Sequence, residues 1–523
     1  MSLLSNLVAH WKLNDDAADP TIVDSVGENY GVYKDSGGNL NTSTGHTAGK
    51  ISGGLLFDGV SEYATFGKEK SLKAIRKCCS KYSGNPVLTV AASGFASVFK
   101  DGDTYYAWSG CAAVYRYTSA DGKNWGSQRV VTGLVGGLVP SVWKEGSTWH
   151  MMYLGTGAGA YLAVRYATSS DGLAWTDHGI KISQGSIGQW DYDVNLEPWG
   201  IIKVNSTYYL WYETLGGGER KTGLATTTNL NGSWTKDENN PIFDDGRFCP
   251  WPFKYQGYYY LLIPHSTSGT DYADIELYKC STPTFYPVDR KFVRIVVESG
   301  AIGAWDDIDT DTPCLLTDNI NRDGFDASGG EMWMYYAGND GSDWRTGMVI
   351  ETDPREIVRP HHLSVTLWFK WSVGDWHCNN KKMISWGEAG TRRSWFITTR
   401  TDGLIAFGGS FGYMSTSVTN WADGDWHFLV VTFDMENTHI YIDNVDQDLT
   451  KVALYPRITS SDEPLCIGGE SDDGAMENFF YDGALDSVML FDKVLSPAEV
   501  SYLWNSGNGR ENVPDLRVGA LVG

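Results

Sequence analysis

Three observations predict an all-β protein. Aromatic residues are abundant, with 22 Trp and 29 Tyr, and they stand beside 60 Gly. Apolar residues alternate with polar ones in short runs bounded by Gly, Asn and Asp, which is the period of half-buried strands. One aromatic strand-like run also recurs along the middle of the chain: TYYAWSG at 104, TWHMMYLG at 148, TYYLWYE at 207, YYYLLIP at 258 and MWMYYAG at 332. At 523 residues the chain has room for two or three domains.

Most of the five runs follow a short apolar run and a turn, as in SVFKDGD, SVWKEGS, IIKVNS and PFKYQG. Three are followed by a further strand and a turn carrying Trp: SADGKNW at 119, SSDGLAW at 169 and TTNLNGSW at 227. Each unit is then several antiparallel strands, and a spacing of about 44 to 74 residues fits the blades of a five-bladed β-propeller with unequal loops.

The flanks carry other patterns. LVAHWKLNDD, TIVDSVGENYG and GKISGGLLFDGVSEYATFG lie between 6 and 72; HHLSVTLWFKW, DGDWHFLVVTFDMENTHIYIDN and FFYDGALDSVMLFDKVLSPAEVSYLWNSGNG follow 361. In that order these segments resemble laminin-G-like, concanavalin-A-like jelly-roll domains. In such a domain the FDG strand is followed closely by a strand like LSVTLWFKW, whereas here roughly 285 residues intervene. The expected organisation is therefore a five-bladed propeller (77–358) inserted into a discontinuous laminin-G-like β-sandwich, or jelly roll (1–76 and 359–512), with a tail at 513–523. Insertion at a loop whose ends lie close leaves both cores intact.

The net charge of −23 repels a phosphate backbone and an anionic membrane surface, so nucleic acid is not an expected partner. Neutral glycans or polysaccharides and divalent cations are compatible with it. No run approaches 18 apolar residues, so no membrane span is expected. The start MSLLSNLVAHWKLNDD does not read as a secretory leader. Cys78, Cys79, Cys111, Cys249, Cys280, Cys314, Cys378 and Cys466 show no CxxC pair and no zinc spacing; a disulfide or two stays open.

The repeats between 85 and 350 resemble the five-bladed superfamily that includes glycoside-active families 43, 32 and 130. The resemblance implies an axial funnel, lined by the first strand of each blade, where a sugar binds. Family 43 enzymes place a base Asp before the first-blade proline, a second Asp after the second-blade proline, and an acid Glu two residues before the third-blade proline. The matching positions here hold Phe95, Ser141 and Leu196, none of them acidic.

Glu197 comes one residue late, and strict alternation turns it away from the axis unless the backbone bulges. GQWDYDVNLEP (188–198) and GAWDDIDTDTP (303–313) share GxWD and the same distance from Trp to Pro, which brings Asp193, Glu197, Asp309 and Asp311 forward as funnel-mouth candidates. If the protein is an enzyme, Glu197, Asp309 and Asp311 are the catalytic candidates. As a binding protein it would use Asp193, Glu197, Trp199, Arg247, Trp251 and Asp311, with Tyr255 a further aromatic platform.

Trp190, Asp191, Trp305 and Asp306 read more readily as loop packing. His150 and His265 read more readily as satisfied blade residues than as bases. In the jelly roll the resemblance implies a structural Ca²⁺ near Asp24 and Asp486.

Two functions stay open. One is a non-enzymatic glycan-recognition or attachment protein, extracellular or on a virion surface, where other virion proteins are further partners. The other is a glycoside hydrolase or phosphorylase with displaced carboxylates. The missing carboxylates favour binding.

Overall fold

In the computed structural model the described residues are 6–510 apart from 16–19, 27–28, 36–44, 52, 67–79, 90–93, 111, 158–160, 217–219, 266–272, 298–299, 301–303, 323–324, 326–327, 359–361, 372–379, 388–392, 401–402, 410–411, 419–420, 435–436, 454–463, 473–474 and 477–478. The chain divides into two compact units, Met1–Lys77 with Pro360–Gly523, and Cys78–Arg359. The junctions near 76 and 359, the tail from 513, and Cys78, Cys79, Cys111 and Cys378 lie outside the described residues.

The second unit is a five-bladed β-propeller. Its first four blades run outward from first strands Ser97–Asp101, Leu138–Glu145, Asn195–Val204 and Trp251–Tyr255, each the start of a four-stranded antiparallel sheet. The fifth blade takes Asp309–Leu315, Met332–Asn339 and Trp344–Glu351 from late in the unit and completes its sheet with Ser80–Lys81, paired at Val349↔Lys81 and Ile350↔Ser80. Joining the two ends of the unit in one sheet closes the ring and covers what would be an open strand edge.

The aromatic runs are the second strands, and their alternate residues fill the spaces between blades. Trp108 and Trp211 on these strands, and Trp143 and Trp251 on first strands, are almost wholly buried. The Trp-bearing turns recur with the same bonding. Ser119 and Ser169 hydroxyls accept the amides of Gly122 and Gly172, and Asp121 and Asp171 accept two amides each further round the turn. Each turn then gives a carbonyl to the preceding blade, Gly122 O to the Tyr335 hydroxyl at 2.7 Å and Gly172 O to the Trp108 indole at 3.3 Å. The SxDG spacing thus both folds a turn and fastens neighbouring blades.

The first unit is a sandwich of an eight-stranded and a nine-stranded sheet. Both sheets mix the two ends of the sequence: Leu7–Trp11 and Gly53–Asp58 pair with Asp482–Phe491, and Tyr63–Phe66 pairs with Leu465–Ile467. Leu363–Trp371 lies on the other side of Asp482–Phe491, so the strand that follows FDG in the resembling domains does share its sheet. A helix at Pro497–Trp504, started by the Ser496–Glu499 capping box, packs Val500 and Leu503 into a cluster with Trp368, Phe428 and Phe491.

Candidate functional site

The site is built where the first strands of the blades begin. In blades two, three and five, two residues of the first strand oppose one of the second: Val139–Pro140 between the pairs Leu138↔Leu154 and Ser141↔Met152, Trp199–Gly200 between Pro198↔Tyr212 and Ile201↔Leu210, and Thr312–Pro313 between Asp311↔Ala337 and Cys314↔Tyr335. A proline has no N–H to give the ladder, so the extra residue of a bulge is tolerated at Pro140 and Pro313; in blade three the bulge directly follows Pro198. Val139, Cys249 and Thr312, each just before a proline, take left-handed backbone at φ 43, 47 and 48°. Glu197 stays in extended strand. The bulge supplies the condition under which the off-register Glu197 need not follow strict alternation.

Glu197 stands opposite Glu213 on the second strand of its blade, and the two carboxyls are hydrogen-bonded to each other. Glu213 is wholly buried; its Oε1 accepts Arg220 Nη1 at 2.9 Å and its Oε2 accepts the Cys249 amide at 2.5 Å. Those donors hold Glu213 as the carboxylate of the pair. Burial first, and the Glu213 charge second, push Glu197 up to about 9, so it is a neutral acid at pH 7.

Asp311 belongs to the same group. It is half-buried, accepts the Thr312 hydroxyl at 2.7 Å, and burial pushes it up to about 7; the Thr312 bond and Arg220 oppose the rise, while Asp309 and Glu213 add to it. Asp309 is half-buried and accepts the Ala273 amide at 3.0 Å. An apolar cluster of Ala96, Trp199, Phe248, Cys249 and Ala273, with Val139 against it, gathers these strand starts together. The Arg220 guanidinium lies 4.7 Å from the Phe248 ring centre. Chemically the group offers one neutral acid, one carboxyl that titrates near neutrality and one ion-paired carboxylate.

The other candidates separate. Asp193 is exposed and bonded by the Tyr161 hydroxyl, outside the Glu197 group. Trp199 is 8% exposed and belongs to the apolar cluster, so it offers little ring face to a ligand. Trp251 is 1% exposed and covered by the Arg322 guanidinium at 3.7 Å from its ring centre; it is no sugar platform. Tyr255 packs on Phe325.

Arg247 is buried in an ion-pair network, with Nε to Glu276 at 2.8 Å and Nη1 to Asp245, rather than placed in the acid group. His265 bonds the same Glu276 at 3.2 Å, and His150 stacks on Trp143 and bonds the Tyr166 hydroxyl at 2.7 Å. Phe95, Ser141 and Leu196 are all buried, Phe95 among Tyr117, Trp125 and Tyr335.

Sequence reading missed Glu213 and Arg220. The signal was the hairpin register: Val204↔Thr207 at the turn, counted back through one bulge at Trp199–Gly200, sets Glu197 on Glu213.

The two GxWD loops are a repeated packing device. Trp190 lies 5.7 Å from Tyr212 at 33° and Trp305 lies 5.7 Å from Tyr336 at 31°. A Cβ on Gly223 or on Gly347, the cross-strand partners of those tyrosines, would come within 2.6 Å of the respective indole. Asp191 pairs with Lys236, and Asp306 pairs with Lys81 at 2.6 Å. Beyond each lysine an Asn side chain holds both backbone groups of one residue, Asn240 on Leu224 and Asn85 on Met348, and a cis proline follows in both places.

In the sandwich, each oxygen of the Asp24 carboxylate already takes two N–H donors: Oδ1 those of His10 and Val26, Oδ2 the amide and side chain of Asn29. Asp486 is wholly buried and accepts the Ile51 amide at 2.8 Å. Donors converging on Asp24 have the polarity of an anion's surroundings, so this carboxylate does not fit the role of a calcium ligand. Among the described residues no group of three or more His, Cys, Asp or Glu could hold a metal ion. No described helix is long and apolar enough to cross a membrane.

A family model described as the concanavalin A-like lectin/glucanases superfamily matches residues 321–501. A Trypanosoma rangeli sialidase mutant displaying trans-sialidase activity is 9% identical over 80% of this chain and 95% of its own, with a TM-score of 0.39. A family 117 glycoside hydrolase of the marine bacterium Zobellia galactanivorans is 12% identical over 54% and 92%, at 0.38. The α-L-arabinofuranosidase PaAbf62A of Podospora anserina is 13% identical over 54% and 99%, at 0.38. No curated protein sequence matches. The chain combines a five-bladed β-propeller with a concanavalin A-like domain.

Proposed function

We propose that the protein recognises glycans at an extracellular or virion surface, that its propeller binds sugar at the mouth formed by the strand starts, and that it does so without cleaving the glycosidic bond. Other virion proteins are its proposed neighbours if it is carried on a particle. The observation that carries this reading is the pairing of Glu197 with Glu213: the one acid at the start of the third-blade strand gives its hydrogen bond to a carboxylate that Arg220 and the Cys249 amide hold in place. Glycosidases flank the scissile bond with two carboxyls, about 5–5.5 Å apart for retention or 6.5–9.5 Å for inversion. Here the three superfamily positions hold Phe95, Ser141 and Leu196. The match of residues 321–501 to a lectin/glucanase superfamily agrees with sugar binding by the jelly roll as well.

A glycoside hydrolase is the second reading, favoured by one observation: Glu197 and Asp311 are both acids raised toward or past neutrality in one group, as general acids are. A broad glycan panel assayed for reducing sugar and sugar phosphate separates the two. Binding without turnover supports recognition. Turnover abolished by both Glu197→Gln and Asp311→Asn establishes the hydrolase instead.

A further inference from the structure

Blades three and five share a framework that permits an internal comparison. KDENNP (236–241) and KYSGNP (81–86) both follow the K-x-x-x-N-P spacing, and GQWD (188–191) matches GAWD (303–306). Trp, Asp, Lys, Tyr and Asn play the same packing roles in both blades, so the framework accounts for them. It leaves three positions that differ, Gln189, Asp237 and Glu238 of blade three, where blade five has Ala304, Tyr82 and Ser83; of these Gln189 accepts the Ser186 amide at 2.7 Å and Asp237 accepts the Asn239 amide at 2.9 Å within their own turns. Those three side chains line a groove of about 490 Å³ on the flank of blade three, together with Trp190 and Asn240.

We infer that this groove is a second sugar-binding site, one that takes a neutral or amino disaccharide unit of a glycan; it rests on the reading of the protein as a glycan binder. Its volume lies in the range of small-ligand sites. Trp190 is half-buried and lines the groove, and it supplies an apolar ring surface for the C–H face of a pyranose. Asn240 does not orient the sugar, because both ends of its amide are used on Leu224. Hydroxyl recognition falls first to Glu238, which is exposed, then to the amide nitrogen of the exposed Gln189, whose oxygen accepts the Ser186 amide, and least to Asp237, whose oxygens already accept Asn239 and the Tyr286 hydroxyl.

Charge sets the class of sugar. The cation of the groove, Lys236, is spent on Asp191, which leaves Asp237 and Glu238 to set the local field. A uronate or sulfated sugar meets carboxylates there, whereas neutral hydroxyls and an ammonium do not meet repulsion.

Blade five supplies the test variant. Gln189→Ala with Glu238→Ser installs the residues that the same framework carries at Ala304 and Ser83, so the fold should be kept, with a small fall in unfolding temperature from loss of the exposed Ser186–Gln189 bond. The full chain and this double variant are titrated calorimetrically with cellobiose, with the disaccharide of glucosamine and with digalacturonate. The expected result is binding of at least one of the first two by wild type, weakened at least about tenfold in the double variant, and no binding of digalacturonate at the groove. Crystals soaked in the bound sugar should place it against Trp190. Affinity that survives the double variant, or digalacturonate bound as tightly as cellobiose, overturns the groove while leaving glycan recognition standing. Failure of all three sugars to bind wild type at millimolar concentration overturns the groove site for these sugars; failure across the broad glycan panel as well would overturn the glycan reading itself.

Discussion

Glu197 and Glu213 lie directly opposite each other on the first two strands of blade three, and one proton bridges their carboxyls. Two acids at one register position form a buried like-charge pair, which is stable only while one of them stays protonated. The bridging proton therefore belongs to the fold as well as to the chemistry of the mouth.

Stability should consequently fall as pH rises. Glu197 has its folded value raised from 4.5 to about 9, so its contribution is complete below about 4.5 and is lost as pH climbs through about 9. Asp311, raised from 3.8 to about 7, behaves the same way but finishes earlier. Between pH 7 and 9 the Glu197 contribution stands apart, with a slope of at most about 1.4 kcal/mol per pH unit. Denaturant unfolding of Glu197→Gln should be flatter than wild type in that window; parallel curves would remove the shared proton.

Asp191 and Asp306 should be equally costly to lose although 115 positions separate them in the sequence. Each is 2% exposed or less, receives a lysine and lies under a tyrosine, Tyr212 or Tyr336. Replacing either with Ala should destabilise by about 2–4 kcal/mol, somewhat under a fully buried pair because the lysines keep partial access to water. The losses should add in the double variant, since the sites share no partner. Only Asp306→Ala should speed amide exchange at Tyr82, because Lys81 belongs to the strand that closes the ring. Equal exchange in both variants would separate that ion pair from ring closure.

These relationships mark how far the sequence could be read. The aromatic runs announced the second strands because their period is local, and the jelly-roll order survived an insertion because LSVTLWFKW and FDG meet on a common neighbour, Asp482–Phe491. Glu197 was harder. Strict alternation turned it outward, and the extra residue just after Pro198 is visible only once both strands are in register.

Glu213 was hidden inside TYYLWYETL, a run whose other residues do pack the blade. Trp251 looked like a platform from its own strand, but Arg322, which covers it, comes from blade five. The K-x-x-x-N-P spacing was in plain sight, yet 81–86 opens the propeller sequence whereas 236–241 stands in its middle, at the end of blade three, and closure of blade five by the first strand is what makes them equivalent.

The sandwich should be indifferent to calcium at Asp24. Four N–H donors occupy its two oxygens, and a cation ligand would have to surrender them. Wild type stripped with chelator should unfold at the same temperature with and without millimolar CaCl₂, while Asp24→Ala should lose about 2–4 kcal/mol as several buried amides lose their acceptor. A rise of several degrees with calcium that vanishes in Asp24→Ala would reverse the assignment.

Asp311 should make sugar binding at the propeller mouth depend on pH near neutrality. Below about 7 it is a neutral acid that can donate a hydrogen bond to a hydroxyl, and above that value it is a carboxylate that can only accept. It is half-buried, so a ligand can reach it, and Thr312 already fills one position on Oδ1. Titration of a glycan that the propeller binds, repeated from pH 5.5 to 8.5, should show affinity turning over near 7 by up to about tenfold, the worth of one charge-assisted hydrogen bond. In Asp311→Asn, which keeps shape and loses the proton, that turn should disappear while Glu197 remains neutral throughout most of the range. A profile that keeps its midpoint in the variant would move the titrating group elsewhere and leave Asp311 outside the sugar's reach.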